Sequence, residues 1–89
     1  MAGPVSLEIR NRRGLHARAS AKFVTLATQY EAVVTVSKDG SDVLGTSIMG
    51  LMMLAAAPGD FIEVKAEGAD ADAALAALVE LVTGKFGED

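Results

Sequence analysis

The single histidine of the chain, His16, lies within the run NRRGLHARAS, residues 11–20. Imidazole forms covalent intermediates in group-transfer reactions, and it does so near neutral pH. Arginine matches phosphate with a planar fork of N–H donors, and Arg18 follows His16 by two residues. The residue types and their spacing therefore favour a site that accepts a phosphoryl group on His16, with Arg18 binding the phosphate, although a lone histidine is usually an exposed or satisfied side chain.

The elements around His16 favour the same chemistry. Apolar and polar residues alternate over residues 5–10, which predicts a strand, and a helical period runs from Ala17 to about Tyr30. His16 should then lie at the N-terminal end of a helix, where the first N–H groups lack partners and favour an anion. The backbone N–H groups of Ala17 and Arg18 are the expected donors, and Gly14 allows a sharp turn before them.

The rest of the chain supplies the elements that must hold this turn. Alternation or valine-rich runs predict further strands over residues 32–37, 42–44 and 62–67, and helices are expected over 45–55 and 70–83. The order is therefore β-α-β-β-α-β-α. We expect an open-faced α/β (α+β) sandwich, in which a four-stranded antiparallel sheet carries three helices on one face. At 89 residues the chain should form a single domain, residues 1–89.

Composition excludes several classes of protein. The chain has no cysteine and one histidine, which argues against metal sites and disulfides, and we expect neither a metal nor a cofactor. The longest apolar stretch, Ile48 to Ala57, is too short to span a bilayer, and no signal-peptide layout follows Met1. We therefore expect a soluble, cytoplasmic protein that does not insert into membranes and is a monomer.

Charge is divided unevenly along the chain. The net charge is −4, yet residues 1–22 hold five basic residues against Glu8 alone. A basic region around His16 suits an anion or an acidic partner, although a solvated surface is the usual outcome of such runs. Nucleic acid is not an expected partner, because the chain is acidic overall and has few aromatic residues.

Ser47 and the helix after it form a second candidate region. Ser47 stands where a serine would cap the second helix. The helix is apolar nearly all round: Leu51, Leu54 and Ala55 form one face, and Ile48, Met49 and Met52 form another. A short helix in a thin domain cannot bury both faces. We expect the face of Ile48, Met49 and Met52 to be exposed, either as an ordinary apolar surface or as a docking site.

Two of these motifs resemble one family. Residues 14–18, GLHAR, are similar to the active-site signature of the histidine-containing phosphocarrier (HPr) proteins of the phosphoenolpyruvate-dependent phosphotransferase system. Residues 45–52, GTSIMGLM, resemble the regulatory-serine helix of that family, and the likeness covers essentially the whole chain. The family often has proline where this chain has Ala19 and a basic residue where it has Thr46.

The resemblance implies a function and partners. His16 would accept a phosphoryl group on Nδ1 from enzyme I and pass it to a IIA domain or protein, and Arg18 would steady the phosphate. Ser47 would be a regulatory phosphorylation site for HPr kinase/phosphorylase, and Ile48, Met49 and Met52 would dock partners. The protein would be a carrier rather than an enzyme.

Three alternatives stay open. The nitrogen-related paralogue has the same histidine chemistry with other donor and acceptor proteins. An interaction module without phosphotransfer would act through Ser47 and the apolar helix, but the presence of both His16 and Arg18 argues against it. A small hydrolase with His16 as a base ranks last, because the motif offers neither a nucleophile nor paired carboxylates.

Overall fold

The computed structural model describes residues 1–88, and the elements appear in the predicted order. The strands are β1 (Ala2–Glu8), β2 (Val33–Lys38), β3 (Ser41–Leu44) and β4 (Phe61–Glu67). The helices are α1 (Ala17–Ala27), α2 (Ile48–Met53) and α3 (Ala71–Thr83), and a 3-10 turn spans Lys85–Gly87. Among these elements, no helix has the length and apolarity needed to cross a bilayer.

The strands form one antiparallel sheet in the order β1-β4-β2-β3. Val36 of β2 pairs with Val43 on one side and with Val64 of β4 on the other. Ile62, Val64 and Ala66 are fully buried, as the alternation in β4 predicts. These side chains face the helices, whereas the opposite face of the sheet is solvated. The predicted open-faced sandwich is confirmed.

The core is aliphatic, with Phe23 of α1 and Phe86 as its largest fully buried side chains. Fully burying one such side chain contributes about 2 kcal/mol. In α1, Ala19 and Phe23 are buried and Leu26 is half-buried, as is Tyr30 after the helix. The helix ends at Ala27, earlier than expected, so Tyr30 lies beyond it.

The last helix follows its sequence pattern closely. Its buried residues are Ala71, Ala74, Leu75, Leu78 and Val82, and their spacing is that of one helix face. Asp70 stands at the N-cap, but its side chain accepts a hydrogen bond from the backbone N–H of Glu31 (2.8 Å) rather than from α3. This acidic residue therefore ties the helix to the segment that leads into β2.

A tight turn joins β1 to α1. Gly14 has φ +65°, its N–H donates to the Asn11 carbonyl (3.2 Å), and the next N–H, of Leu15, donates to the Ala56 carbonyl (3.0 Å). A Cβ on Gly14 would lie only 2.3 Å from that Ala56 oxygen. The turn therefore needs glycine both for its conformation and for its close approach to the chain that follows α2.

We expect Gly14→Ala to lower the free energy of unfolding by about 3 kcal/mol or more, because a left-handed conformation and a backbone clash add together. Gly40→Ala is the matched control: Gly40 also has positive φ (+83°), but nothing lies within 4 Å of a Cβ there. It should cost about 1 kcal/mol. Urea denaturation of both variants measures the difference, and equal losses would contradict the steric part of the argument.

Candidate functional site

His16 is the N-cap residue of α1, immediately before the first helical residue. Its backbone is extended (φ −72°, ψ 178°), and its carbonyl accepts the first helical hydrogen bond, from the N–H of Ser20 (2.9 Å). The imidazole Nδ1 accepts a hydrogen bond from the backbone N–H of Arg18 (3.3 Å). A ring nitrogen therefore points at the N–H groups of the helix, where the sequence pattern predicts an anion site.

The other ring nitrogen faces a carboxylate. Nε2 lies 3.1 and 3.0 Å from the two carboxylate oxygens of Glu88. Both side chains are largely enclosed, with exposed fractions of 15% for His16 and 14% for Glu88. The ring is therefore mostly buried but reaches the surface.

These two contacts assign the protons of the neutral ring. An ionised carboxylate only accepts hydrogen bonds, so Nε2 carries the proton and donates to Glu88. Nδ1 then keeps its lone pair, which accepts from the Arg18 N–H. Second partners of this kind fix the tautomer and orientation of a functional histidine. The ring thus presents Nδ1, and not Nε2, as its nucleophilic nitrogen.

Glu88 is itself held by several contacts. The Nδ2 group of the buried Asn11 donates to Glu88 Oε1 (3.1 Å) and to the Gly14 carbonyl (2.7 Å). The Lys22 ammonium donates to the carbonyl of Phe86 (2.7 Å), whose ring is buried in the core. These bonds fasten residues 86–88 across the start of α1, beside the ring of His16.

The surroundings of Glu88 favour its charged form. The hydrogen bond from His16 lowers the pKa of the Glu88 carboxyl below its ordinary value, and burial opposes this effect. The hydrogen bond from Asn11, the charge that His16 carries when its ring is protonated, and the charge of Lys22 lower the pKa of Glu88 further. Glu88 is therefore an ionised acceptor at neutral pH, as the proton assignment of the ring requires.

Three arginines surround this end of the helix. Arg12, Arg13, Arg18 and Glu88 line a pocket of about 170 Å³. The arginine residues are exposed, and their guanidinium groups give the pocket a positive field for an incoming anion. The structure thus brings Arg18 and the flanking arginines to the same place as His16. Glu88 adds a negative charge that no local sequence pattern indicated.

A larger cleft, of about 540 Å³, lies on the outer face of the sheet, between Pro4, Ser37 and Phe61. Its lining contains lysine, aspartate and serine side chains and no residue that hydrogen-bonds to His16. The smaller pocket is lined by Arg18 and Glu88, whose backbone N–H and carboxylate contact the His16 ring. Size alone therefore does not identify the site, and the chemistry points to the smaller pocket.

The second candidate region also has the predicted local structure. Ser47 caps α2, since its Oγ accepts a hydrogen bond from the Gly50 N–H (2.9 Å). The helix is shorter than the predicted span 45–55, and Leu51 and Leu54 are buried beneath it. Ala55 is exposed, with φ +54°, so its predicted place on the buried face is wrong. The helix ends before Ala55, and the chain turns outward there.

The outward side of α2 is apolar. Its exposed fractions are 42% for Ile48, 73% for Met49, 43% for Met52 and 78% for Met53. The predicted exposure of the first three is confirmed, and Met53 joins them. We call these four residues the α2 apolar surface. Helix α2 packs on α1, and the N–H of Leu15 donates to the Ala56 carbonyl, so the segment that follows α2 contacts the turn before His16.

The chain is similar in sequence and in structure to proteins of one family. A family model described as "PTS HPr component phosphorylation site" matches residues 5–84. The chain is 55% identical over 83 residues to phosphocarrier protein HPr of Neisseria meningitidis, covering 93% of each chain. It is 41% identical over 80 residues to phosphocarrier protein NPr of Shewanella violacea, covering 90% of this chain and 88% of the relative. A crystal structure of HPr from Thermoanaerobacter tengcongensis superposes with a TM-score of 0.93 at 42% identity, covering 98% of both chains.

The lowered pKa of Glu88 predicts a pH dependence. In the unfolded chain the carboxyl has its ordinary pKa, near 4.5, and in the folded chain its pKa is lower. The bonds to Glu88 therefore stabilise the fold above about pH 4.5, and this contribution is lost as the pH falls through the lowered value. Glu88→Gln should be less stable than the wild type at pH 7, and the gap should narrow towards pH 3.

Urea titrations of both proteins at several pH values measure this gap. Glu67→Gln, which removes an exposed carboxylate from β4, controls for the change in net charge. A gap that stays the same between pH 7 and pH 3 would contradict the role given to the Glu88 carboxylate.

Proposed function

Because the chain belongs to the HPr phosphocarrier family of the phosphotransferase system, we propose that it accepts a phosphoryl group on His16 Nδ1 from phosphorylated enzyme I and passes it to a IIA protein. The family membership rests on the match over residues 5–84 and on identities of up to 55%. One observation carries the residue assignment: Nδ1 faces the N–H groups of α1 while Nε2 donates to Glu88.

The transfer step follows from this arrangement. The Nδ1 lone pair attacks phosphorus and forms the N–P bond, and the bond from phosphorus to the donor breaks with its electron pair going to the donor. Nε2 keeps its proton throughout and donates it in a hydrogen bond to the Glu88 carboxylate. The Arg18 N–H, which donates to Nδ1 before the transfer, donates to an oxygen of the new phosphoryl group after it. The second transfer reverses these changes, with the acceptor group of the IIA protein attacking phosphorus.

The helix terminus supplies the stabilisation for the phosphoryl group. The N–H groups of Ala17 and Arg18 belong to the first turn of α1, where helical partners are missing, and they meet a dianion favourably. The Arg18 guanidinium adds a charge-assisted contact. Because the chain is modified and regenerated in each cycle, it acts as a carrier, and its partners supply the remaining catalytic groups.

Regulation and docking belong to the same proposal. Ser47 is the regulatory phosphorylation site for HPr kinase/phosphorylase, and Ile48, Met49 and Met52 contact enzyme I and IIA proteins. The Ser47 hydroxyl oxygen caps α2, and a phosphate at a helix N-terminus retains favourable electrostatics. A monomer in the cytoplasm suits such a shuttle, and both properties stay predictions.

The nitrogen-related branch is the second candidate, and the 41% identity to an NPr protein favours keeping it. The histidine chemistry is the same in both branches, so the identity of the donor separates them. If the enzyme I of the sugar branch phosphorylates the chain and its nitrogen-branch counterpart does not, the chain belongs to the sugar branch.

The first test measures phosphotransfer directly. Incubation with enzyme I and phosphoenolpyruvate should add one acid-labile phosphoryl group to the intact mass, and His16→Ala should gain none. Arg18→Ala should fold normally but accept the group about tenfold more slowly, because it loses a contact to the transferring phosphate. Arg12→Ala, which changes another guanidinium of the same pocket, should slow the transfer less. Phosphorylation of His16→Ala would overturn the assignment.

Ser47 is tested with HPr kinase and ATP. The wild type and Ser37→Ala should be labelled, and Ser47→Ala should not. Ser47→Ala also loses the α2 cap, at a cost of about 1 kcal/mol, so circular dichroism must show that it remains folded. Label on another residue of the wild type would defeat this assignment.

Docking is tested by placing a charge on the α2 apolar surface. Met49→Glu should weaken the affinity for enzyme I by about tenfold or more, since a carboxylate would be desolvated in the contact. Phe61→Glu is the matched control, because Phe61 is an exposed apolar side chain (59%) on the outer face of the sheet. Equal affinities of the two variants would refute docking through α2.

A further inference from the structure

Methionine is concentrated on the outward side of α2. The chain has four methionines, and three of them, Met49, Met52 and Met53, belong to this six-residue helix. Their exposed fractions are 73%, 43% and 78%. The fourth, Met1, is also exposed (78%), but it lies at the start of the chain and is not part of α2. Since the chain has no cysteine, the methionine thioethers are its only sulfur groups.

Exposed thioethers react with hydroperoxides. The sulfur lone pair attacks one peroxide oxygen, an S–O bond forms and the O–O bond breaks. After proton transfer the other oxygen leaves as water from hydrogen peroxide, or as an alcohol from an organic hydroperoxide. Sulfur is oxidised by two electrons and the peroxide is reduced. The product, methionine sulfoxide, is polar and chiral, and thiol-dependent reductases return it to methionine. Oxidation therefore changes an apolar surface into a polar one without breaking the chain.

We propose that Met49, Met52 and Met53 form a reversible oxidation site, and that their oxidation by a hydroperoxide weakens docking through the α2 apolar surface. The docking part rests on the proposed function. The oxidant reaches these sulfur atoms directly, because all three side chains face solvent in the free protein. In a complex the same side chains would be covered, so a bound partner would both protect them and reject their sulfoxides.

The interior side of α2 keeps the fold intact during this change. Leu51 and Leu54 are buried and contain no sulfur, and the Ser47 hydroxyl caps the helix. Residues of the His16 site also lack sulfur. Oxidation should therefore alter the surface while leaving the secondary structure, and the hydrogen bonds of His16, unchanged.

The experiment treats the full chain with hydrogen peroxide and maps the added oxygen by peptide mass spectrometry. We expect oxygen on Met49, Met52 and Met53, an unchanged circular dichroism spectrum, and about tenfold weaker binding to enzyme I, which is about 1.4 kcal/mol. Treatment with both epimer-specific methionine sulfoxide reductases and a thiol should restore the affinity. Met1→Leu should respond to peroxide as the wild type does.

A variant with Met49→Leu, Met52→Leu and Met53→Leu separates the helix from other targets. The affinity of this variant for enzyme I is measured before and after peroxide treatment, and the ratio of the two values should stay near one. Three results would each overturn the inference. They are an equal loss of affinity for enzyme I in this variant after peroxide, unfolding of the oxidised wild type, and unchanged affinity of the oxidised wild type. Failure of the untreated wild type to accept phosphate from enzyme I would instead overturn the proposed function, together with the docking part of this inference.

Discussion

The orientation of the His16 ring is the constraint on which the chemistry depends. An imidazole has two nitrogens that differ only in their partners, and here each has a different kind of partner. A backbone N–H of α1 contacts Nδ1, and the Glu88 carboxylate contacts Nε2. Because the Arg18 N–H donates and the Glu88 carboxylate accepts, only the neutral tautomer with its proton on Nε2 forms both hydrogen bonds. The other neutral tautomer, with its proton on Nδ1, would set the Nε2 lone pair against the Glu88 carboxylate and an Nδ1–H against the Arg18 N–H, so these contacts select one tautomer.

The fold supplies this constraint from widely separated parts of the chain. The turn at Gly14 lies against the segment after α2, which sets the starting point of α1. Asn11 joins the same turn to Glu88, and Lys22 holds the preceding residues through the Phe86 carbonyl. Because Phe86 is itself buried in the core, the position of Glu88 depends on the packing of α1 and α3 rather than on a free tail.

The sequence predicts local features well and distant contacts poorly. The cap at Ser47, the turn at Gly14 and the exposure of Met49 follow from residue type and period, so they could be derived from a few neighbouring residues. Glu88 could not, because 72 positions separate it from His16 and no periodicity relates the two. The arginines in the sequence predicted only positive charge around His16, whereas the structure also places the Glu88 carboxylate there. The predicted burial of Ala55 was wrong because helical spacing does not show where a short helix ends.

The sheet order and the contacts of Glu88 have a consequence for synthesis on the ribosome. Strand β1 is made first, yet its partner in the sheet is β4, which follows α2 in the chain. His16 emerges early, but the residue that holds its Nε2 emerges more than seventy residues later. In a nascent chain the His16 ring therefore lacks its Nε2 partner until Glu88 has been translated.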